Sequence, residues 1–346
     1  MRRCFIHIGT HKTGTTSLQM ALSAHSQALQ DRHYLYPLSG RPPEAPLGQH
    51  NLAWEISGDY RFQKDSGGIK DLLKEISGTT HNVILSSEDF ECSIHHFENF
   101  TEFIRRLQSH QFEIKLLMYF RNQIDYARSL YFALLFHGFD RPFDDFLDEI
   151  LARGQCTWRD WICAFCYRDF LQRLEAIEGV DIIVRSFEYA RKRSLLADFL
   201  SNFELEPADL GIRAEVHANE AMDLHDAVGR FCQHCLGRLL TEDEERIVAS
   251  LAAALKETRI DLSAGSRLEI SRRFKDSNEY LFDRYHIAKF ERMQLDQADV
   301  AGRQERICME TVFSSSLPQF IESAARDLAA SGLSDGAEAL LMKAGL

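Results

Sequence analysis

Cys4-Phe5-Ile6-His7-Ile8-Gly9-Thr10-His11-Lys12-Thr13-Gly14-Thr15-Thr16-Ser17-Leu18-Gln19 is the stretch that decides the fold. An apolar run ends in Gly9. A loop holding Lys12 and Gly14 follows, and Thr15, Thr16 and Ser17 open a helical pattern continued by Leu18, Ala21 and Leu22. A strand, a loop and a helix N-terminus in that order aim backbone N–H groups and a helix dipole at an anion. Gly9 and Gly14 let the backbone turn and approach a ligand closely. The hydroxyls of Thr15, Thr16 and Ser17 can add donors at the helix N-terminus.

The glycines have the spacing of a nucleotide-binding P-loop, but the residues after Gly14 do not. A P-loop places Lys and then Ser or Thr there, to reach the terminal phosphates and magnesium. Here Thr15-Thr16 stand in that place and the lysine lies inside the loop, at Lys12. The His-Lys-Thr-Gly-Thr-Thr run resembles the 5′-phosphosulfate loop of sulfotransferases that use 3′-phosphoadenosine 5′-phosphosulfate (PAPS), the carbohydrate-type and bacterial members above all. The resemblance implies that His11, Lys12, Thr13, Gly14, Thr15, Thr16 and Ser17 line the cofactor's 5′ end. No metal is required by that scheme.

A second segment agrees. Residues 113–120 read EIKLLMYF, an apolar run suited to a parallel strand buried on both faces. It runs into Arg121-Asn122, and a helical pattern follows at Ile124, Ala127, Tyr131, Leu134 and Leu135. The family is similar here too: an Arg at a strand end and a Ser eight residues on bind the 3′-phosphate. The resemblance puts Arg121 and Ser129 in that role, with a planar guanidinium fork and a hydroxyl suited to phosphate oxygens. Gln123 stands where the family usually has Pro.

Strands are expected over residues 3–9, 82–87, 114–121 and 181–186, with helical stripes between and after them. That alternation predicts an α/β fold, a P-loop-like parallel sheet flanked by helices, with ligands at the carboxyl ends of the strands. By resemblance this is the sulfotransferase fold over residues 1–290, with its sheet core in about 1–205 and a helical part in about 218–290. Residues 291–346 read as a helical C-terminal extension. Residues 34–68, rich in Gly and Pro, read as a long loop over the active face.

With 45% hydrophobic residues and 24 Phe, the chain can bury a large core. A net charge of −12 argues against a nucleic-acid partner. No stretch approaches 18 uncharged apolar residues, so no transmembrane segment is expected, and Met1-Arg2-Arg3 runs straight into the first strand. The expectation is a cytoplasmic enzyme of bacterial type, acting on a small-molecule, oligosaccharide or glycolipid acceptor.

Two residues compete as general base. Glu88 follows the strand over residues 82–87, and several carbohydrate sulfotransferase families use a Glu so placed. A helix-capping role for Glu88, Ser87 or Asp89 is the plainer alternative. His50 opens a helical pattern in the long loop and is the second candidate. Among the basic residues 272–275, Arg272, Arg273 or Lys275 could cover the 3′-phosphate, as a C-terminal Lys/Arg loop does in the family, and so could simply be a solvated face. The residues 217–220 (His-Ala-Asn-Glu) resemble an Asn-containing step of related proteins. Eight cysteines include two Cys-x-x-Cys pairs, Cys163/Cys166 and Cys232/Cys235. Both fall in helical patterns, where i,i+3 spacing on a buried stripe explains them as well as zinc does. Two other functions stay open: a P-loop-type nucleotide kinase or NTPase, and a non-catalytic nucleotide-binding protein of the same fold.

Overall fold

The computed structural model describes residues 2–212, 261–287 and 309–312, with isolated positions 229, 233, 245 and 249. The Cys232/Cys235 pair, the 217–220 step, most of the stripes over 218–255 and nearly all of the 291–346 extension lie outside the described residues. Seven strands are described: β1 (Arg2–Ile8), β2 (Tyr34–Leu35), β3 (Asn82–Ser87), β4 (Phe112–Phe120), β5 (Gln155–Trp158), β6 (Trp161–Ala164) and β7 (Val180–Ser186). Five of them form one sheet in the order β2-β3-β1-β4-β7, with every pairing parallel. Parallel neighbours need crossovers, and helices supply them.

The strands read as nearly unbroken apolar runs because both sheet faces are covered. Along β1, Cys4, Ile6 and Ile8 join one core cluster while Phe5 joins the other, the two-residue alternation of a strand. The first cluster packs α3 (His50–Ser57), α4 (Ile69–Ser77), α6 (Phe97–Ser109) and α9 (Tyr167–Glu175) on one face of the sheet. The second packs α1 (Thr15–Ala24) and α11 (Leu195–Ser201) on the other. The expected α/β class with a parallel, helix-flanked sheet is therefore present. Among the described residues, no helix is long and apolar enough to cross a membrane.

The chain divides into two units. The first, Met1–Asn122, Gln155–Asn219 and Phe274–Arg292, holds the sheet. The second, Gln123–Gly154, Glu220–Arg273 and Met293–Leu346, holds α7 (Gln123–Phe136), α8 (Phe143–Arg153) and a further helix, Ala264–Arg273. In the second unit Tyr131 sits among Phe139, Phe143 and Phe146, with ring centroids 5.8, 5.0 and 5.3 Å away.

Two local expectations are corrected. Residues 34–68 are not one long loop. They contain β2, α3 and a short 3-10 turn (Lys64–Ser66), and Leu52, Ala53 and Ile56 of α3 sit in the core. Nor do Cys163 and Cys166 share a helical stripe: Cys163 lies in β6, while Cys166 precedes α9 as its N-cap residue. β5 and β6 form an antiparallel hairpin closed by Arg159-Asp160, in which Cys156 stands opposite Cys163.

Candidate functional site

The loop after β1, the residue after β3 and the residue after β4 bring Lys12, Glu88 and Arg121 to the carboxyl ends of three adjacent strands. Chain direction explains this. The sheet is built outward on one side of β1 by β2 and β3, and on the other by β4 and β7, so the strand order reverses at β1. In open α/β sheets such a reversal is where ligands bind, outside the carboxyl ends of the strands.

Gly14 precedes α1 in the left-handed region, at φ 78°, and Lys12 takes the same region at φ 67°. That conformation is costly for a lysine and persists only where surrounding contacts enforce it. Arg121 supplies one such contact, its Nη1 donating to the Lys12 carbonyl at 3.0 Å. The Thr13 hydroxyl donates to the Thr10 carbonyl at 2.6 Å, and the Thr10 hydroxyl donates to the Tyr119 carbonyl at 2.9 Å, pinning the loop to β4. Thr13 thus spends its hydroxyl inside the loop. The N-cap residue of α1 is Gly14, which brings no side-chain cap, and the first turn of the helix holds no acidic residue. Ser17 and Leu18 already donate their N–H groups to the Gly14 carbonyl at 3.1 and 3.3 Å, which leaves the Thr15 and Thr16 amides ahead of them for an anion. Thr15 is buried, and its Oγ1 is a buried oxygen with no hydrogen-bond partner. It occupies the space a Cβ on Gly9 would need, 2.4 Å from that position. Thr16 is exposed and Ser17 half-exposed at the same helix end.

Lys12 is solvent-accessible, yet protein packed around the loop lowers its pKa. The Arg121 guanidinium adds to that lowering and the Glu88 carboxylate opposes it, so all three groups feel one another. Glu88 is 24% exposed at the side chain and accepts from Gln19 Nε2 at 3.1 Å. Gln19 lies on α1, so the helix that opens the anion site also holds the carboxylate. The capping alternative does not hold for the carboxylates: the helix that follows, Phe90–Ser93, has Asp89 as N-cap residue and no side-chain cap.

His50 begins α3, as its helical pattern predicts, and is buried. Its ring Nδ1 faces Ser87 Oγ at 2.9 Å and Asp89 Oδ2 at 3.1 Å; Glu88 Oε2 stands 3.9 Å away. Trp54, one turn along α3, donates Nε1–H to the same Asp89 oxygen at 2.9 Å. Burial alone would lower the His50 pKa. Glu88 and Asp89 outweigh it and hold the pKa above the ordinary value. Asp89 itself is pulled well below the carboxylate range, because His50, Arg61 and His11 together overcome its burial.

His11 is buried and held from the other side. Glu91 Oε2 accepts from the His11 backbone N–H at 3.1 Å and lies 2.8 Å from Nδ1, while Glu91 Oε1 accepts from the Ala164 amide at 2.7 Å. Asp89 Oδ1 is 3.9 Å from His11 Nε2 and 3.6 Å from Arg61, which also forks onto Asp59. Sequence reasoning missed Gln19, Trp54, Arg61, Asp89 as a buried anchor, and Glu91. One signal was present: three carboxylates within four residues, Glu88, Asp89 and Glu91, directly after an apolar strand.

The two remaining cofactor candidates belong to the second unit. Ser129 is half-buried on α7. Arg273 ends the helix Ala264–Arg273, and its Nε donates to the Leu151 carbonyl of α8 at 2.6 Å.

No protein-family model and no curated protein matches this chain. A solved structure from the PezAT chromosomal toxin-antitoxin system of Streptococcus pneumoniae matches at 11% identity and a TM-score of 0.32, covering 68% of this chain and 87% of that one. A TM-score that low carries no argument about fold or function.

Proposed function

We propose that the chain is a PAPS-dependent sulfotransferase of the sulfotransferase fold, moving a sulfuryl group to an acceptor hydroxyl on a saccharide or glycolipid. The observation that carries the reading is the convergence of Lys12, Glu88 and Arg121 at three adjacent strand ends around one anion-ready helix terminus. Thr15 Oγ1, buried and unpartnered at that terminus, is the kind of donor a phosphate oxygen would complete. The amides from Thr13 to Thr16 would hold the 5′-phosphosulfate and Arg121 would select the 3′-phosphate, with Ser129 the further hydroxyl that the family resemblance alone adds.

PAPS would supply an activated sulfuryl group on a phosphate leaving group. Glu88 would accept the proton of the acceptor hydroxyl as its oxygen bonds to sulfur and the bridging S–O bond breaks. Lys12 would neutralise the charge that grows on the released 5′-phosphate, an interaction strongest in the transition state. His50, tied to Asp89 through Nδ1, would serve as a charged neighbour of Glu88 or as the base in its place.

A calorimetric titration comparing 3′-phosphoadenosine 5′-phosphate, AMP and ATP–magnesium tests the reading. The 3′-phosphorylated nucleotide should bind tightest. Arg121→Ala should weaken it by about 1.5–3 kcal/mol, with much less effect on AMP. Preference for ATP–magnesium would make the chain a kinase or NTPase. Equal weakening of both nucleotides in Arg121→Ala would reduce Arg121 to a brace for the Lys12 carbonyl.

A further inference from the structure

We propose that His11 Nδ1, Glu91 Oε2 and Cys163 Sγ form a binding site for a divalent cation of the zinc class. The three come from separate elements: the loop after β1, the helix Phe90–Ser93, and β6. All are buried, and their donor atoms lie within 4.8 Å of one another. Cys163 carries a thiol, not a disulfide, with Sγ 3.9 Å from His11 Nδ1, and Glu91 Oε2 is 2.8 Å from the same nitrogen. Tetrahedral zinc with ordinary bond lengths needs about 3.4 Å between nitrogen and oxygen and about 3.6 Å between nitrogen and sulfur. The nitrogen–oxygen pair would open by about 0.6 Å and the nitrogen–sulfur pair close by about 0.3 Å to reach those separations. Glu91 would keep its amide contacts from His11 and Ala164, which then act as outer supports.

Charge gives a second, independent reason. The connected set holds three buried carboxylates, Asp59, Asp89 and Glu91, and one half-buried guanidinium, Arg61. Two negative charges are left to be met by protons on His11 and His50 or by a cation. Buried charge without compensation is costly. A divalent ion displaces the His11 Nδ1 proton and the Cys163 thiol proton to solvent; the new thiolate brings the set to three negative charges, of which the ion offsets two and a proton on His50 the third. A thiolate beside an imidazole selects zinc or cobalt over magnesium or calcium. The ion would fasten the residue before Lys12 to the β5–β6 hairpin. This role does not depend on the proposed sulfuryl transfer.

The test uses the full chain, stripped with chelator, kept reduced and titrated with Co²⁺. One equivalent should bind with a near-ultraviolet thiolate-to-cobalt charge-transfer band, and Zn²⁺ should bleach it. Cys163→Ser should abolish the band, and the double variant Cys232→Ser, Cys235→Ser should retain it. Glu91→Gln keeps the side-chain shape and should weaken cobalt binding by roughly tenfold or more; it reads the same site should Cys163→Ser not fold. A wild-type chain that yields no band, or a band that survives Cys163→Ser or follows Cys232 and Cys235, overturns the proposal and leaves a His11 imidazolium as the counter-charge.

Discussion

Gly9→Ala probes the anion loop at its tightest point. Gly9 is not among the glycines with positive φ, so alanine meets no dihedral penalty there; the penalty is contact. The new Cβ would lie 2.4 Å from Thr15 Oγ1 and 3.5 Å from both Thr15 Cβ and Cγ2. Ordinary contact needs about 1 Å more from the hydroxyl, and Thr15 is a buried, β-branched residue in the first turn of α1, with little freedom to yield. Overpacking of this kind costs about 1–3 kcal/mol. The urea midpoint should fall accordingly, and affinity for 3′-phosphoadenosine 5′-phosphate should fall with it, because α1 and the loop shift together. Thr15→Ala by itself loses one methyl, worth about 0.8 kcal/mol, and removes a buried unpaired hydroxyl that costs about 1–3 kcal/mol. Its stability should rise by up to about 2 kcal/mol while nucleotide affinity drops. In the double variant the clash is gone, so the two changes should couple favourably by about 1 kcal/mol or more. A Gly9→Ala chain as stable and as tight-binding as wild type, or one that Thr15→Ala does not relieve, refutes the reasoning.

Lys12→Ala should lower turnover strongly while the product nucleotide still binds, because the lysine acts most on charge that appears in the transition state; near-normal turnover in a product-release assay would remove it from the mechanism. Glu88→Gln should cut turnover by roughly 10²–10⁴-fold at nearly unchanged cofactor affinity. A Glu88→Gln enzyme keeping most of its rate, beside an inactive His50→Ala enzyme that still binds nucleotide, would move the base to His50. His7 gives the pH dependence: buried beside Ser86 Oγ at 2.8 Å and ringed by Tyr119 and Phe199, it has its pKa lowered to about 3 by burial. The unfolded chain therefore takes the proton first, so stability should fall as pH drops from about 6.5 towards 3 and level off below. His7→Leu should flatten that limb in chemical denaturation; an unchanged limb would show that other groups govern acid unfolding.

The strands of the sheet were legible because burial on both faces writes itself as unbroken apolar runs. Residues 82–87 are bounded as expected, and the 181–186 reading misses only Val180 of β7. The anion loop was legible because glycine spacing and a helix start are local chemistry. The start of α3 at His50 was legible, but its place in the core was not, because an eight-residue helix set among prolines gives little periodicity; the β5–β6 hairpin was missed, since a four-residue strand ending in Trp158 or starting at Trp161 reads equally well as a helical stripe. β2 has only two residues and exists through its partner β3.

For the site, the sequence alone determined which groups end the strands: Lys12 in its loop, Glu88 after β3 and Arg121 after β4. Each follows from where an apolar run stops. Only the tertiary structure decided what those groups touch. It turned the Thr13 hydroxyl inward, buried Thr15 Oγ1 against Gly9, and drew His50 out of its supposed loop onto Asp89. It also joined His11 to Glu91 and Cys163, residues 80 and 152 positions away along the chain. Periodicity reports which side of an element is apolar. It carries no record of which buried polar atoms meet, because those partners are set by strand order and crossover, and each must find a hydrogen bond wherever the fold puts it.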